Sequence, residues 1–442
     1  MKKIAMVIGL SACLLSLLLS AGVTQAKDLD RQSELLRSCL RYEQNLIRPK
    51  SAPADQKVLL ALTLASAETG IYDAADWIAV YRQAGTLTTY LVQSDTFYLW
   101  ETDHWEGTHR STYSYSGTKI TSEVEQDLDG AQWVNYSRTT YAYDGDGQMS
   151  TITNQTWASS AWVNQSLFTI TYDGSGYLTQ MLIQNWSGTA WVDYSRSTLT
   201  YSGGYLATVL TEIWQTSVWV NSSKSSYTYS GGHLTEWIMQ SWASGTWVNS
   251  IRSTMTYNGS GDITQNWSQS WSGTQWTNVG KDDYAYDGSH REILDVYSMW
   301  IGALWLEYTA DTSKYSGTQL VEIVTASLLT MQLTRRSQFT YDGNGNKTVD
   351  LGQDWSGSAW INSDRGVYVY QTVGTCGDFD VSGDVNIADV VYLVAYIFSG
   401  GPAPHDVREG DVDCDLSVNI ADAVYLIAYI FSGGATPCDA CM

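Results

Sequence analysis

Oxygen-bearing side chains recur at fixed intervals near the C-terminus. Asp378, Asp380, Ser382, Asp384, Asn386 and Asp389 fall at positions 1, 3, 5, 7, 9 and 12 of one stretch. Asp411, Asp413, Asp415, Ser417, Asn419 and Asp422 repeat the arrangement 33 residues later. A twelve-residue loop with oxygens at these positions wraps a hard cation such as calcium: side chains serve at 1, 3 and 5, a backbone carbonyl at 7, a water-bridged group at 9 and a carboxylate at 12. Two calcium sites are therefore expected, with Asp384 and Ser417 contributing their carbonyls. Position 6, where such a loop turns sharply, is Gly383 in the first copy and Leu416 in the second, so the second site is expected to bind more weakly. Val385 and Val418, at position 8 of each loop, are expected to pair and couple the two.

Each loop runs into the same apolar segment, Val390 to Gly401 and Ala423 to Gly434. Helices are expected over Val390 to Phe398 and Ala423 to Phe431, apolar nearly all round. A module of this size cannot bury every such side chain, which leaves a patch for a partner. This tandem arrangement closely resembles a dockerin, the calcium-dependent module that plugs secreted proteins into a cohesin. Type I dockerins place a Ser-Thr pair at loop positions 10 and 11 for cohesin recognition, whereas here the pairs are Ile387-Ala388 and Ile420-Ala421. The resemblance implies that these four residues meet the partner through a more apolar contact. Because the copies match, it also suggests binding in two orientations related by a half-turn.

The N-terminus carries Lys2 and Lys3, an apolar run from Ile4 to Leu19, and small residues ending at Ala26. This reads as a secretory signal over residues 1–26 and places the protein outside the cell or on its surface. Leu10-Ser11-Ala12-Cys13 also fits a lipobox, although the apolar Leu14 to Leu19 follows where a polar tether is usual. No other run has the length of a membrane-spanning helix. Removal of the signal leaves 22 basic against 46 acidic residues, a net charge near −24. That balance excludes nucleic acid as a partner, since phosphate binding needs a basic stripe. Cys376, Cys414, Cys438 and Cys441 cluster in the terminal module over residues 376–442, and Cys39 stands alone. Outside the cell a disulfide from Cys376 to Cys438 or Cys441 would clasp the module's ends.

Residues 91–370 read as a ten-unit repeat of 28 to 29 residues. Trp105, Trp133, Trp162, Trp191, Trp219, Trp247, Trp276, Trp305, Met331 and Trp360 mark one slot, and a tyrosine lies ten residues after each. A second tryptophan precedes the slot by five residues in eight of the units, as Trp157 precedes Trp162. Units with a five-residue turn such as Tyr172-Asp173-Gly174-Ser175-Gly176 run longer than those with Tyr201-Ser202-Gly203-Gly204, so length changes fall in turns and spare strand register. Each unit reads as a hairpin: a strand such as Leu178 to Trp186, a loop from Ser187 to Ala190, and a return strand Trp191 to Tyr201. The short step from Trp305 to Met331 marks a unit expected to be irregular.

Counting by twos assigns one face to the tryptophans, the tyrosines and the Leu178/Leu182, Leu206/Leu210 and Leu234/Ile238 series. Two polar rows join them: Gln126, Gln155, Gln184, Glu212, Gln240, Gln269 and Gln353, and Asn135, Asn164, Asp193, Asn221, Asn249, Asn278 and Asn362. The opposite face receives Arg110, Arg138, Arg196, Lys224, Arg252, Lys281, Arg336 and Arg365. Neither face offers a lipid-facing band, which argues against a membrane barrel. The Tyr-Asp-Gly-x-Gly turns followed by a hydrophobic residue are similar to the YD repeats of the RHS family. That resemblance implies a long antiparallel hairpin sheet, curled or spiral, with its aromatic face inward. Residues 27–90, with helices expected over 29–47 and 54–67, are expected to cap the sheet's first edge.

The five histidines make no metal spacing and no Gly-x-Ser-x-Gly elbow is present, so no catalytic residue is assigned. The expected protein is a mainly β, secreted and non-catalytic chain anchored through calcium and a cohesin, its repeats serving as spacer, adhesin or glycan-binding surface. The alternative is a component of extracellular polysaccharide degradation, with a hydrolase or carbohydrate-binding role in the repeats.

Overall fold

The computed structural model describes residues 90–116, 119–372, 376–380, 385–401, 407–413, 415 and 417–437. The expected signal, the helices at 29–47 and 54–67, Cys39, Ser382, Gly383, Asp384, Cys414, Leu416, Cys438 and Cys441 lie outside them. The repeat region forms twenty antiparallel strands, from β1 (Tyr90–Glu101) and β2 (His104–Ser116) to β19 (Lys347–Trp355) and β20 (Trp360–Thr372). Within one unit, β7 (Leu178–Trp186) and β8 (Trp191–Ser202) fall where the tryptophan and glycine spacing puts them.

The sheet is not a curled or spiral strip with free ends. β1 pairs with β20 as well as with β2, in a register running from Leu91↔Gln371 to Leu99↔Asp364, so the wall closes into a barrel. Closure satisfies the backbone groups that an open first edge would expose. The edge that residues 27–90 were expected to cap therefore does not exist.

The face assignment also needs correction. Every pairing between neighbouring strands contains a one-residue register shift, such as that between Thr171 and Tyr172 and that between Ile183 and Gln184. Each bulge carries an extra residue and reverses which side the rest of the strand presents. Directly opposed residues share a face, so Trp214↔Trp219, Glu212↔Asn221 and Arg196↔Glu212 place tryptophans, amides and arginines together. The tyrosines lie on the other face, where Tyr201 opposes Leu206. Leu178 follows them, because a bulge separates it from Leu182, and it is buried with Met181 and Ile183.

Only one side of a closed single-layer wall can be shielded from water, and that is the inner one. The tyrosine side holds Met149, Ile152, Leu178, Met181 and Ile183, each at most 2% exposed, and so lines the lumen. The tryptophan side, half-buried to exposed, with Trp267 at 36%, is the outer surface. Nine Gly-rich or short turns gather at one rim, where the first and last strands also meet, and ten hairpin loops at the other. At the turn rim Asp173 accepts the backbone N–H groups of Ser175 and Tyr177 at 2.8 and 2.9 Å, which explains the aspartate after the tyrosine. The tyrosine hydroxyls then donate to main-chain carbonyls 23 residues back, Tyr172 to Met149 and Tyr201 to Leu178, both at 2.9 Å.

The unit with the shortened step keeps its strands, β17 (Gln319–Ser327) and β18 (Gln332–Tyr341), in register with their neighbours. Its irregularity is confined to the loop, where Leu329 and Met331 stand exposed.

Candidate metal centre and docking face

Beyond the barrel lie α1 (Ile387–Ser399), a short 3-10 turn (Val407–Gly410) and α2 (Ile420–Ser432). Both helices begin three residues before the apolar run suggested, because loop position 9 is itself the N-cap. Asn386 and Asn419 cap the helices, and Asp389 and Asp422 complete capping boxes by accepting from the cap N–H at 2.8 Å in each case. The helices end on Gly400 and Gly433, at φ of 62° and 65°, the left-handed region that glycine enters without strain.

The two copies interlock by a swap. Phe379 and Leu393 of the first pack with Ala423 of the second, and Val412 and Leu426 of the second pack with Val390 of the first. Val385 joins the cluster of Val412 and Leu426, while Val418 joins that of Phe379 and Leu393. Each loop is therefore wedged against the other copy's core. Gly410 allows this approach, since a Cβ there would collide with the ring of Phe379. Cys376 is buried and disulfide-bonded, with its partner outside the described residues.

In the first loop Asp378, Asp380 and Asp389 bring carboxylate oxygens within 4.8 Å of one another. Asp389 is fully buried and also accepts the N–H of Asp380 at 3.1 Å. Burial pushes its carboxyl above the ordinary aspartate range, and the charges of Asp380 and Asp378 push the same way against two backbone donors. In the second loop Asp411, Asp413 and Asp415 converge within the same distance. Asp422 is fully buried, its oxygens held by the N–H groups of Val412 and Asn419 at 2.9 and 2.8 Å, and Asp413 of the trio acts on it through both its charge and its backbone N–H. Burial raises its carboxyl too. Each trio gathers like charges with one acid exposed and at least one buried, which suits a hard divalent cation, and both have the donor type that calcium takes. Asn386, Asn419 and Ser417 lie at the expected loop positions, the Ser417 carbonyl accepting from Asn419 at 3.1 Å.

Ile387, Ala388, Ile420 and Ala421 are exposed at the helix starts, with Ile387 and Ile420 at 48% and 49%. The spacing alone did not single out the residues that extend this face: Val391 and Phe398 on α1, and Val424, Ile427 and Phe431 on α2, all exposed. Their signal was the 33-residue repeat itself, because 391/424 and 398/431 are equivalent positions that remain apolar without joining either core.

The outer barrel surface has its polar groups engaged with one another. Arg138 donates to Gln155, which donates to Asn164 at 2.8 Å, and Arg336, Gln353 and Asn362 repeat the relay. The tryptophans of a hairpin meet edge to face, as Trp157 and Trp162 do at 4.8 Å, and the arginine of the preceding unit covers the ring, Arg138 over Trp162 at 4.9 Å.

Residues 376–431 match the family described as the Dockerin type I domain. No curated protein matches the chain significantly. Among solved structures, a DUF3836 family protein from Bacteroides vulgatus is 20% identical over 20% of this chain and 90% of its own, with a TM-score of 0.18. A porin-like protein from Bacteroides uniformis is 10% identical over 63% of this chain and 98% of its own, at 0.28. TcdB2-TccC3 is 9% identical over 68% of this chain and 23% of its own, at 0.24. Overlaps this weak carry no argument about the barrel. The family match, the paired acidic loops and the swapped cores agree: residues 376–431 form a dockerin type I domain.

Proposed function

We propose that this is a secreted docking protein, in which a calcium-loaded dockerin holds a closed β-barrel to a cohesin-bearing partner and the barrel acts as a rigid spacer. The observation that carries this reading is the duplicated pair of carboxylate trios beside a duplicated exposed apolar row. Asp378, Asp380 and Asp389 hold the first ion with Ser382, the carbonyl of Asp384 and, through water, Asn386. Asp411, Asp413 and Asp415 hold the second with the carbonyl of Ser417, Asn419 through water, and Asp422. The ions draw each loop onto its helix start and so fix Ile387, Ala388, Ile420 and Ala421 where the partner meets them. Without calcium the trios repel and the face loses its shape.

The spacer reading is preferred to glycan binding because of how the outer aromatic and amide groups are arranged. A sugar stacks on a free ring face and bonds to free amides, whereas here arginines cover several of the rings and the Gln and Asn rows bond to each other. The test is binding of the mature chain to immobilised cohesins, with and without chelator. Capture that calcium restores supports the proposal; capture indifferent to chelator refutes it. A glycan array with the same chain tests the spacer reading, which expects no specific sugar.

A further inference from the structure

The hairpin tips at the tryptophan rim are not alike. Several are small and polar, as Ser187-Gly188-Thr189-Ala190, Ser272-Gly273-Thr274-Gln275 and Ser356-Gly357-Ser358-Ala359 are. Those of the first two hairpins carry exposed acids, Glu101, Asp103 and Asp129. Two tips depart from both patterns. The tip joining β15 (Glu292–Ile301) to β16 (Leu304–Ser316) reads Ile301-Gly302-Ala303-Leu304, and the loop between β17 and β18 reads Leu328-Leu329-Thr330-Met331. Because β16 pairs with β17, these tips are neighbours. Ile301 is 52% exposed, Leu304 71%, Leu329 48% and Met331 82%, and Leu306 and Leu333 extend the apolar surface at 43% and 38%. Single exposed aliphatic residues are ordinary, but an apolar patch on the ends of two adjacent fingers marks a contact surface.

The chemistry of the tips selects what they meet. Residues 298–306 and 326–334 include no charged side chain, in a chain whose formal net charge is −22. The patch consists of loop ends rather than a groove, so it suits a fluid apolar layer better than a shaped protein pocket. Behind it Trp300 and Trp305 meet edge to face at 4.9 Å, and Trp267, 36% exposed, stacks on Trp305 at 6.0 Å. Indole rings, apolar with one polar N–H, settle at the level of lipid headgroups, while aliphatic side chains reach the acyl boundary beyond them. A second copy set rim to rim would instead add its own Glu101, Asp103 and Asp129 to an end that already carries these acids. The same acids make anionic lipid a poor surface and favour keeping the first two tips in water. We propose that the Ile301–Leu304 and Leu328–Met331 tips insert into a zwitterionic phospholipid surface, which the barrel meets at a tilt with its acidic hairpins held clear.

Flotation of the mature full-length chain with phosphatidylcholine vesicles is the test. Combining Ile301→Ser, Leu304→Ser, Leu329→Ser and Met331→Ser gives these tips the character of the polar ones and should lower the partition coefficient at least about tenfold. Val218→Ser, at the exposed tip of another hairpin, should leave it unchanged. Phosphatidylglycerol mixed into the vesicles should weaken binding at low salt. The parent chain supplies a reading that needs no variant: phosphatidylcholine vesicles should slow peroxide oxidation of Met331 at least about fivefold. A parent chain that does not float overturns the proposal, as does a combined variant that floats equally well, which would assign the contact to the dockerin helices. Stronger binding to the anionic vesicles, or Met331 oxidation at one rate with and without vesicles, also overturns it. Sedimentation showing a dimer that the combined substitution abolishes, without flotation, would give the patch to a second copy. If the combined variant loses its β circular dichroism, the Met331 measurement decides.

Discussion

The guanidinium carbon of Arg365 stands 4.7 Å from the centre of the Trp105 ring and 4.5 Å from that of Tyr98. These residues belong to the last and first units of the repeat. Elsewhere the same contact joins consecutive units, Arg110 over Trp133, Arg196 over Trp219 and Arg336 over Trp360. The seam is thus one more copy of the repeat interface, and the ring closes with the chemistry that propagates it.

It follows that Arg365→Ala should destabilise the barrel about as much as Arg138→Ala, on the order of 1 kcal/mol each. Urea denaturation of the two variants makes the comparison. An Arg365→Ala chain as stable as the parent, beside a weakened Arg138→Ala, would mean that the seam is open in solution.

At the turn rim several units rest on the next one's glycine, as Tyr177 does on Gly204 and Tyr205 on Gly232. Gly204 has a φ of 82° and would carry a Cβ 3.4 Å from the Tyr177 hydroxyl, so Gly204→Ala combines backbone strain with crowding. We expect a loss of about 1 to 2 kcal/mol. Gly174→Ala, with nothing within 4 Å of the new atom, is the control and should be nearly silent. Equal thermal midpoints for the two would contradict the rim packing described here.

The tyrosine ladder makes the barrel sensitive to alkali. Burial pushes the Tyr370 hydroxyl up to about 12, and those of Tyr115 and Tyr201 higher still. In the unfolded chain these groups ionise near 10. The folded state holds its protons more tightly, so this contribution is fully present below pH 10 and is lost as pH rises through 12. Phenolate absorbance should therefore rise together with the loss of β circular dichroism. Smooth ionisation of all tyrosines near pH 10 with the fold intact would be the wrong outcome. Tyr201→Phe, which removes the bond to the Leu178 carbonyl, should cost about 1 kcal/mol.

Much of this architecture is legible in the sequence, because tryptophan, tyrosine and glycine spacing fixes each hairpin's length and loops. What escapes is global or depends on bulges. An open strip and a closed ring share every local pairing, and only the arithmetic of twist over all the strands, with Arg365 meeting Trp105, decides between them. Period-two counting fails because bulges such as that beside Gln184 reverse the strand, moving the tyrosines inward and leaving the arginines with the tryptophans. In the dockerin the acidic spacing could be read directly, and the carboxylates of Asp378, Asp380 and Asp389, and of Asp411, Asp413 and Asp415, do converge. The swapped core could not, because Val390 and Ala423 look alike in either pairing.

The duplicated docking face predicts redundancy. Replacing Ile387-Ala388 with Ser-Thr should leave cohesin affinity nearly unchanged, and the same change in both copies should lower it strongly. A large loss from the single change would argue for one binding orientation.

Acidification should weaken calcium binding. Burial raises the carboxyls of Asp389 and Asp422, so protons compete for the oxygens that face the ion, and affinity should fall as pH drops through their raised range. Affinity independent of pH between neutrality and the aspartate range would exclude these two groups as ligands.

Calorimetric titration of calcium into the chelator-treated mature chain tests the central claim most directly. Two binding events are predicted, the weaker in the loop bearing Leu416, with a gain of helix that Asp378→Ala and Asp411→Ala each halve. Absence of binding heat, with helix content equal in calcium and chelator, would contradict the account.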